Sequence, residues 1–516
     1  MRWRLAIALM AACAAACARS ATVSRDLIVV ATVNAPTTMD PLVGLDESSQ
    51  RIHQLLFSSL LTIGDDLRII PDLAVRFDTT DAQNYTAGIP PGVRFHNGHE
   101  MTSADVAYTF RRFLDPKFVS GKKGAFHDLQ AVDILDRYTV VFRLKTPSGA
   151  FPSSLTNLGI VPEGTGAEAG RAPIGSGPYR LREFVPDDHV TLDAFADYYR
   201  GVAANPGIVV KVVPDDTMRG LELRKGDVDL VVNDLAPDLV HSLRAAGRLN
   251  VVTSPGTDFA YIGLNLRDPI LENPKVRQAI GYAIDRGAIV RYLRRDLARP
   301  ASGIIPDISW AYSADLFSFT YDPERSKALL DEAGYRDPDG DGPIPRLRLV
   351  FKTSTAEQYR LQAAVLQEQL SHVGIALEIR SYEFATLFTD IVKGNFQMYT
   401  LVFSAGAASD PDILRRVFHS TQAPPNGFNR AHYASAEADR LLDLATDATT
   451  LDERKRYYIA AERVIAADAP MISLYARTNV VIAQPDLDGI RVSPLGDFAF
   501  LSRVFRRTSP QARPAH

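Results

Sequence analysis

His96, His99 and Glu100 fall close together in the stretch RFHNGHEMTSADVAYTF, residues 94–110. Histidines beside a carboxylate are the material of a zinc site or of an acid–base pair. A zinc enzyme sets two histidines four apart on one helical face with a glutamate between them. Here Asn97 and Gly98 intervene, two residues that tolerate positive φ and make a tight-turn dipeptide. The run TSAD, Thr102 to Asp105, then places a hydroxyl three residues ahead of an acid at the head of an apolar helical pattern, as in a capping box. The histidines therefore flank a turn in front of a helix, and no metal is assigned to them.

A second candidate is RDPDGDG, residues 336–342, which offers Asp337, Asp339, Asp341 and Gly342 at the first, third, fifth and sixth places of a calcium loop. The twelfth place needs a bidentate glutamate and holds Arg348, a cation, so the run reads as an exposed loop after a helix. The segment GSGPYR lacks the third glycine and the strand-to-helix setting of a dinucleotide loop, and no glycine-rich segment ends in GK[ST]. Ser120 to Lys123, SGKK, fits S-x-x-K without the accompanying S-D-N or K-T-G, and no G-x-S-x-G elbow occurs. No cofactor and no metal site are expected, and no local motif supports an enzyme.

The elements that would position a site need room, and 516 residues exceed what one hydrophobic core usually supports, so two or three lobes are expected. A content of 46% hydrophobic and 23% charged residues is that of a globular chain, and the net charge of −4 argues against nucleic acid as a partner. The opening MRWRLAIALMAACAAACARS has two early arginines, an apolar run from Leu5 to Ala16 too short to span a bilayer, and then small residues: a secretory signal. Both cysteines, Cys13 and Cys17, lie inside it behind small residues, as in the cleavage box of bacterial lipoproteins. Cutting at Cys13 would leave a very short apolar region, which favours Cys17 as the lipidated residue. Beyond Cys17 there is no cysteine, so the mature chain has neither disulfide nor thiolate chemistry.

From Asp26 onward, β-branched runs such as DLIVVATV alternate with helical patterns, which indicates an α/β protein. Around Arg171 the pattern shifts to short strands, including GIVVKVV and GDVDLVV. From about Tyr261 it becomes richer in helices. NPKVRQAIGYAIDR begins one of them, with Asn273 as cap, Pro274 at the first helical position, and Val276, Ile280, Ala283 and Ile284 on one face.

Several pieces in order, TTMDPLVG, LLFSSLLTIGDDLRIIPDLAVRF, VRFHNGHEMTSADVAYTFRRFLDP, APIGSGPYRL, LELRKGDVDLV, YIGLNLRDPILENPKVRQAIGYAIDR, YDPERSKALLDEAGYRDPDGDG and QLSHVGIALEI, resemble the extracellular solute-binding proteins, family 5, of ABC importers for dipeptides, oligopeptides and nickel. The resemblance covers roughly residues 26 to 500. It implies an α/β fold of the type II periplasmic binding protein kind: two lobes with a hinge and an additional subdomain in the larger lobe. The divisions expected are a lipoprotein signal over 1–17, a first lobe from 26–50 with 170–262 and 478–505, an extra subdomain over 51–169, a second lobe over 263–477, and a disordered tail over 506–516. The function implied is capture of a small peptide-like solute in the periplasm by a lipid-anchored monomer, and its delivery to an inner-membrane permease complex. An extracytoplasmic hydrolase, or a sensor or scaffold that has kept the fold, are the alternatives.

The resemblance also locates the ligand contacts, and one departs from the pattern. Peptide-binding relatives carry a tryptophan and then an aspartate before a D-P pair, and that aspartate neutralises the ligand's α-amino group. In MYTLVFSAGAASDPDILRRVFHS the pair is Asp410-Pro411. Counting back, the acid's place falls near Ala407 and the tryptophan's near Phe403 or Ser404. Either Asp410 or Asp412 takes over, or the ligand has no free amine there, since an unpaired buried ammonium is costly. Asn265, Phe403, Ser404, Ala407, Asp410 and Asp412 are the expected ligand-contact positions.

Overall fold

The computed structural model describes residues 26–156, 158–340, 342–403, 409–424 and 427–507. The run DLIVVATV becomes the strand Ile28–Thr32, flanked on both edges by parallel strands, Gly207–Val212 and Leu230–Val232. Such a strand is covered on both faces, so it reads as a continuous apolar run. Antiparallel strands His189–Ala194 and Tyr179–Val185 extend this side. The other half of the same eleven-stranded sheet carries the parallel strands Leu347–Ser354, Ile375–Tyr382 and Met398–Phe403. The helix Glu357–Ser371 joins the first two.

Two long strands run through both halves. Asn250–Leu264 and Met471–Ala483 are antiparallel: Asn250 to Pro255 pair with Ala483 to Thr478 in the first half of the sheet, and Phe259 to Gly263 pair with Ala476 to Met471 in the second half. The register breaks between Pro255 and Phe259. Pro255 has no N–H to donate, and a Cβ on Gly256 would stand 2.7 Å from the Arg477 carbonyl oxygen, so the ladder is interrupted where the lobes join.

The small subdomain is a four-stranded antiparallel sheet, in the order Arg76–Thr79, Asn84–Gly88, Thr139–Leu144, Leu129–Asp136. Its helix Ser103–Arg111 starts at the capping box seen in the sequence: the Thr102 N–H donates to Asp105 Oδ2 at 2.8 Å, and the Ala104 N–H donates to Thr102 Oγ1 at 3.3 Å. Phe110 and Phe142 of the subdomain share one buried cluster with Ile28 and Val210 of the first lobe, so the two have a continuous core. The second lobe has its own clusters around Ile280, Phe351 and Leu442. There Asn273 Oδ1 caps the helix Pro274–Tyr282 by accepting from the Lys275 N–H at 3.0 Å, and Val276, Ile280, Ala283 and Ile284 are buried.

The stretch that raised the metal question is a turn. Gly98 has φ +87° and donates its N–H to the Phe95 carbonyl at 2.8 Å. His96 Nε2 lies 3.2 Å from the Gly177 carbonyl and Nδ1 accepts from the Gly175 N–H at 3.3 Å, which places the ring proton on Nε2. Burial lowers its pKa to about 4, so it is a neutral tie between subdomain and lobe. The glycines of GSGPY serve close approach: a Cβ on Gly175 would stand 1.9 Å from the Leu56 carbonyl oxygen, and one on Gly177 2.6 Å from that of Leu55. In RDPDGDG, Asp337 Oδ1 accepts the backbone N–H of Asp339 and of Gly340, and its Oδ2 lies 3.4 Å from Arg346 Nη2. Among the described residues no three His, Cys, Asp or Glu side chains converge as a metal site, and no helix is long and apolar enough to cross a membrane. Arg506, assigned to the tail on sequence grounds, instead pairs with Leu487 in a short strand and meets Asp229 at 2.6 Å. Residues 508–516, like Cys13 and Cys17, lie outside the described residues.

Candidate functional site

In open α/β sheets, ligands bind beyond the carboxyl ends of the strands. On the first lobe the parallel strands end at Thr32 and Val232; on the second they end at Ser354, Tyr382 and Phe403. These ends meet the junction from both sides, because Phe403 pairs with Phe259 at the point where the long strands cross between lobes. The Thr32 hydroxyl donates to Asp234 Oδ2 at 3.3 Å, and the same carboxylate oxygen lies 3.2 Å from Arg51 Nη1. Arg51 also meets Glu47 at 2.5 Å, one helical turn back, and stands 5.0 Å over the Phe498 ring. From the crossing strands, Arg477 faces Asp258 at 3.5 Å. The cleft floor is thus a set of opposed charges contributed by both lobes.

Phe403 forms an apolar wall. It is buried and stacks on Tyr261 at 4.9 Å, and Tyr261 in turn stacks on Phe259 at 6.0 Å. The Tyr261 hydroxyl accepts from Arg430 Nη1 at 3.1 Å, and the guanidinium lies 5.2 Å from the Phe388 ring and 5.5 Å from that of Phe428. Ser404, next in the chain after Phe403, and Ala407, four residues on, lie outside the described residues. Asn265 is not brought to this place. Leu264 pairs with Met398 at the opposite end of the strand from Phe259, so Asn265 is removed by six residues, about 20 Å of strand. Its amide donates to the Phe396 carbonyl at 2.9 Å and accepts from the Arg267 N–H at 3.1 Å.

Asp410 and Asp412 come together with residues that no motif announced. Asp410 Oδ1 accepts from the Asp412 N–H at 2.8 Å and from Arg454 Nη2 at 3.3 Å. The buried Arg454 guanidinium stands 5.5 Å over the Trp310 ring and donates to the Tyr458 hydroxyl at 3.2 Å. Asp412 Oδ1 accepts from Thr446 Oγ1 at 3.3 Å and from the Tyr458 hydroxyl at 3.4 Å. Burial, and then the like charge of Asp410, raise the Asp412 pKa to about 6. A cavity of about 290 Å³ opens over this group, with Leu61, Phe77 and Tyr85 of the subdomain on one side and Trp310, Asp410 and Arg454 on the other. Arg454 sits in the charged helical run LDERKRYY, and the fold turns it inward.

Comparison with known proteins follows from this architecture. The chain is 29% identical over 495 residues to the oligopeptide-binding protein AppA of Bacillus subtilis, covering 91% of this chain and 90% of that protein. It is 28% identical over 509 residues to the glutathione-binding protein GsiB of Escherichia coli, covering 96% of each. The solved structure of Bacillus subtilis AppA with a nonapeptide superposes with a TM-score of 0.78 at 26% identity, covering 93% of this chain and 99% of that one. NikZ of Campylobacter jejuni with Ni(L-His) gives a TM-score of 0.80 at 24% identity over 94% of this chain and all of that one, a likeness of fold. The family model of the bacterial extracellular solute-binding proteins, family 5, matches residues 68–425, more than half of the sequence. The chain belongs to the bacterial extracellular solute-binding proteins of family 5.

Proposed function

We propose that the protein is the substrate-binding component of an ABC importer, a lipid-anchored periplasmic monomer that encloses a peptide-like solute between its lobes and delivers it to an inner-membrane permease. The observation that carries this reading is the convergence of strand ends from two lobes on one cleft, with the lobes joined through the broken ladder at Pro255 to Phe259. Hinged closure around a ligand is what such a connection permits. The names of AppA and GsiB support a peptide-like solute, since an oligopeptide and glutathione share amide backbone and carboxylate groups. The division into a first lobe of 26–50, 170–262 and 478–505 and a second of 263–477 belongs to the same reading, as does Cys17 as the anchor.

The solute's amine is a separate matter. Asp410 already meets the Arg454 guanidinium, so its charge is compensated within the protein and a ligand ammonium gains little from it. We therefore take the favoured solutes to be blocked, modified or otherwise uncharged at the amino end, with Phe403, Ser404 and Ala407 as their neighbours. Mass spectrometry of what co-purifies with the native protein tests the solute class; recovery of a sugar or a lipid would reject it. Titration with free-amine dipeptides and their N-acetylated counterparts tests the amine. Tight binding of the free-amine set that is lost in Asp410→Asn would instead make Asp410 the anchor.

A further inference from the structure

Glu462 stands on the helix Leu451–Asp468 two turns beyond Arg454, about 12 Å along one buried face that Tyr458 shares. Its carboxyl borders a cavity of about 40 Å³, room for about one water molecule, walled by Phe418, Ile465 and both ends of the loop 301–319. The loop rests on the carboxyl. Glu462 faces the Ile305 backbone N–H, and a Cβ on Gly303 would stand 2.9 Å from Glu462 Oε1. Ile304 and Ile305 are buried in one cluster with Tyr458 and Ile465. The chain then turns tightly: the Ser309 N–H donates to the Pro306 carbonyl at 2.9 Å and the Tyr312 N–H to the Ser309 carbonyl at 3.0 Å. Inside that turn Trp310 meets the Arg454 guanidinium at 5.5 Å. Arg454 is thus held by Asp410 on one side and by a loop seated on Glu462 on the other.

The charged groups around Glu462 are engaged elsewhere. Arg286 borders the same cavity, but its guanidinium donates to the carbonyls of Ser473 at 2.7 Å, Phe319 at 3.0 Å, and Gly281 and Ile284 at 3.2 Å, and among the described residues no ion pair joins it to Glu462. On the loop, Asp307 is taken by Arg299 at 2.8 Å and Asp315 is exposed. On the helix Ile413–Phe418, Arg415 meets Asp443 at 3.2 Å and Arg416 lies 4.6 Å from the Phe428 ring. On its own helix Arg463 is exposed and Asp468 accepts from the Tyr433 hydroxyl at 2.6 Å. Glu462 Oε2 has no hydrogen-bond partner among the described residues, and burial raises the carboxyl's pKa to about 8. An ionised carboxylate in such a place is stabilised by water entry or by movement of what covers it, and what covers it is the loop that carries Trp310. We infer that Glu462 is a positioning residue of the solute site, which through the loop 301–312 seats Trp310 on Arg454 and so makes solute capture depend on pH. This inference rests on the reading that a solute is enclosed between the lobes. Affinity then follows the fraction of protein whose loop is seated.

Two measurements on the full chain test it, one needing no knowledge of the solute. Trp3 and Trp310 are its only tryptophans, so in a Trp3→Phe background the emission reports Trp310 alone. Followed without solute from pH 7 to pH 9.5, above the Asp412 transition near 6, the emission should show one step near pH 8. Glu462→Gln should abolish the step and keep the pH 7 spectrum, and Gly303→Ala, which crowds the carboxyl, should move its midpoint. Lys122 is also brought to about 8 by burial, but it donates to the Pro41 carbonyl at 2.7 Å, and Lys122→Gln should leave the step in place. No step in the wild type, an equal step in Glu462→Gln, or loss of the step in Lys122→Gln would overturn the inference. Circular dichroism checks the fold of each variant, and Gly303→Ala carries the test if Glu462→Gln does not fold. The second measurement is calorimetry with N-acetylated dipeptides that lack histidine and cysteine, so that the probe itself does not titrate. The wild type should bind them about tenfold more weakly at pH 9 than at pH 7, because the protonated fraction falls by that factor, and Glu462→Gln should bind equally at both. Equal wild-type affinity at the two pH values rejects the link and leaves solute capture standing. Binding at neither pH rejects the peptide-like reading instead, and the emission step then decides the seating of Trp310 alone.

Discussion

Gly149 donates its backbone N–H to the Thr446 carbonyl at 2.7 Å, tying the small subdomain to the second lobe away from the hinge. The contact admits no side chain: a Cβ at position 149 would stand 2.3 Å from the Ala448 carbonyl oxygen and 3.3 Å from Arg454 Cδ. Gly149→Val should therefore loosen the closed arrangement and leave each lobe folded. One lost hydrogen bond at about 1 kcal/mol corresponds to about fivefold weaker solute binding, and the steric clash adds to it. Calorimetry with the co-purified solute, together with small-angle scattering, checks this; unchanged affinity and radius of gyration would mean that the contact plays no part in closure.

Glu462 makes a prediction about pH. It is buried in the second lobe, burial raises its pKa to about 8, and its Oε2 has no hydrogen-bond partner among the described residues. A carboxyl whose folded pKa lies above its unfolded value of 4.5 holds its proton more tightly in the native state. Stability is therefore lost as pH rises from about 4.5 toward 8, at a cost on the order of 3 kcal/mol by pH 7. Glu462→Gln, which keeps the shape and cannot ionise, should melt higher than the wild type at pH 7.5, with the gap closing near pH 4.5. A pH-independent difference would place the carboxyl in a more polar setting than its burial implies.

Local chemistry was legible in the sequence wherever neighbours along the chain decide it. The capping box at Thr102, the turn at Gly98 and the cap and buried face of the helix after Asn273 all follow from spacing and rotamer chemistry. The crossing strands were hidden, because a register break at Pro255 becomes a hinge only when Met471–Ala483 lies beside it. The glycines of GSGPY were legible as glycines but not as to purpose, since the helix end at Leu55 and Leu56 that crowds them is distant in sequence. The site was the least legible part. Arg454 reaches Asp410 from 44 residues away, so no window of sequence contains that relationship. Asn265 was drawn into the expected site by a strand that passes through it, and the strand carries that residue out at the far end.

Localisation is tested at Cys17. An apolar run followed by small residues before the cysteine is the pattern of a lipoprotein signal, and a diacyl anchor holds a protein on a membrane where one chain would not. Cys17→Ala should move the protein from the membrane fraction to the soluble periplasmic fraction, while Cys13→Ala leaves it membrane-bound. Retention of the Cys17→Ala protein on the membrane, with wild type cleaved elsewhere, would reject the assignment.

The last prediction concerns Arg454, which holds two neighbouring carboxylates in one buried group. Asp410 Oδ1 lies 3.3 Å from its Nη2, and Asp412 is already raised to about 6 by burial and by the charge of Asp410. Removing the cation in Arg454→Met takes away the ion-pair partner of Asp410 and leaves like charges side by side, a change that costs about 3–5 kcal/mol when a buried pair is broken. The sign of its pH dependence follows. A carboxyl whose folded pKa is raised stabilises the fold less as pH climbs, and loss of Arg454 removes a charge that holds the Asp412 pKa down. Arg454→Met should therefore be most destabilised above pH 7 and recover toward pH 5, where Asp412 accepts a proton. Asp410→Asn combined with Arg454→Met should restore part of the loss at pH 7.5, because the partner left uncompensated is then neutral. A double-mutant cycle by urea unfolding at both pH values measures the coupling directly. Additive effects with the same loss at pH 5 and pH 7.5 would show that Arg454 acts through its packing on Trp310 and not through its charge.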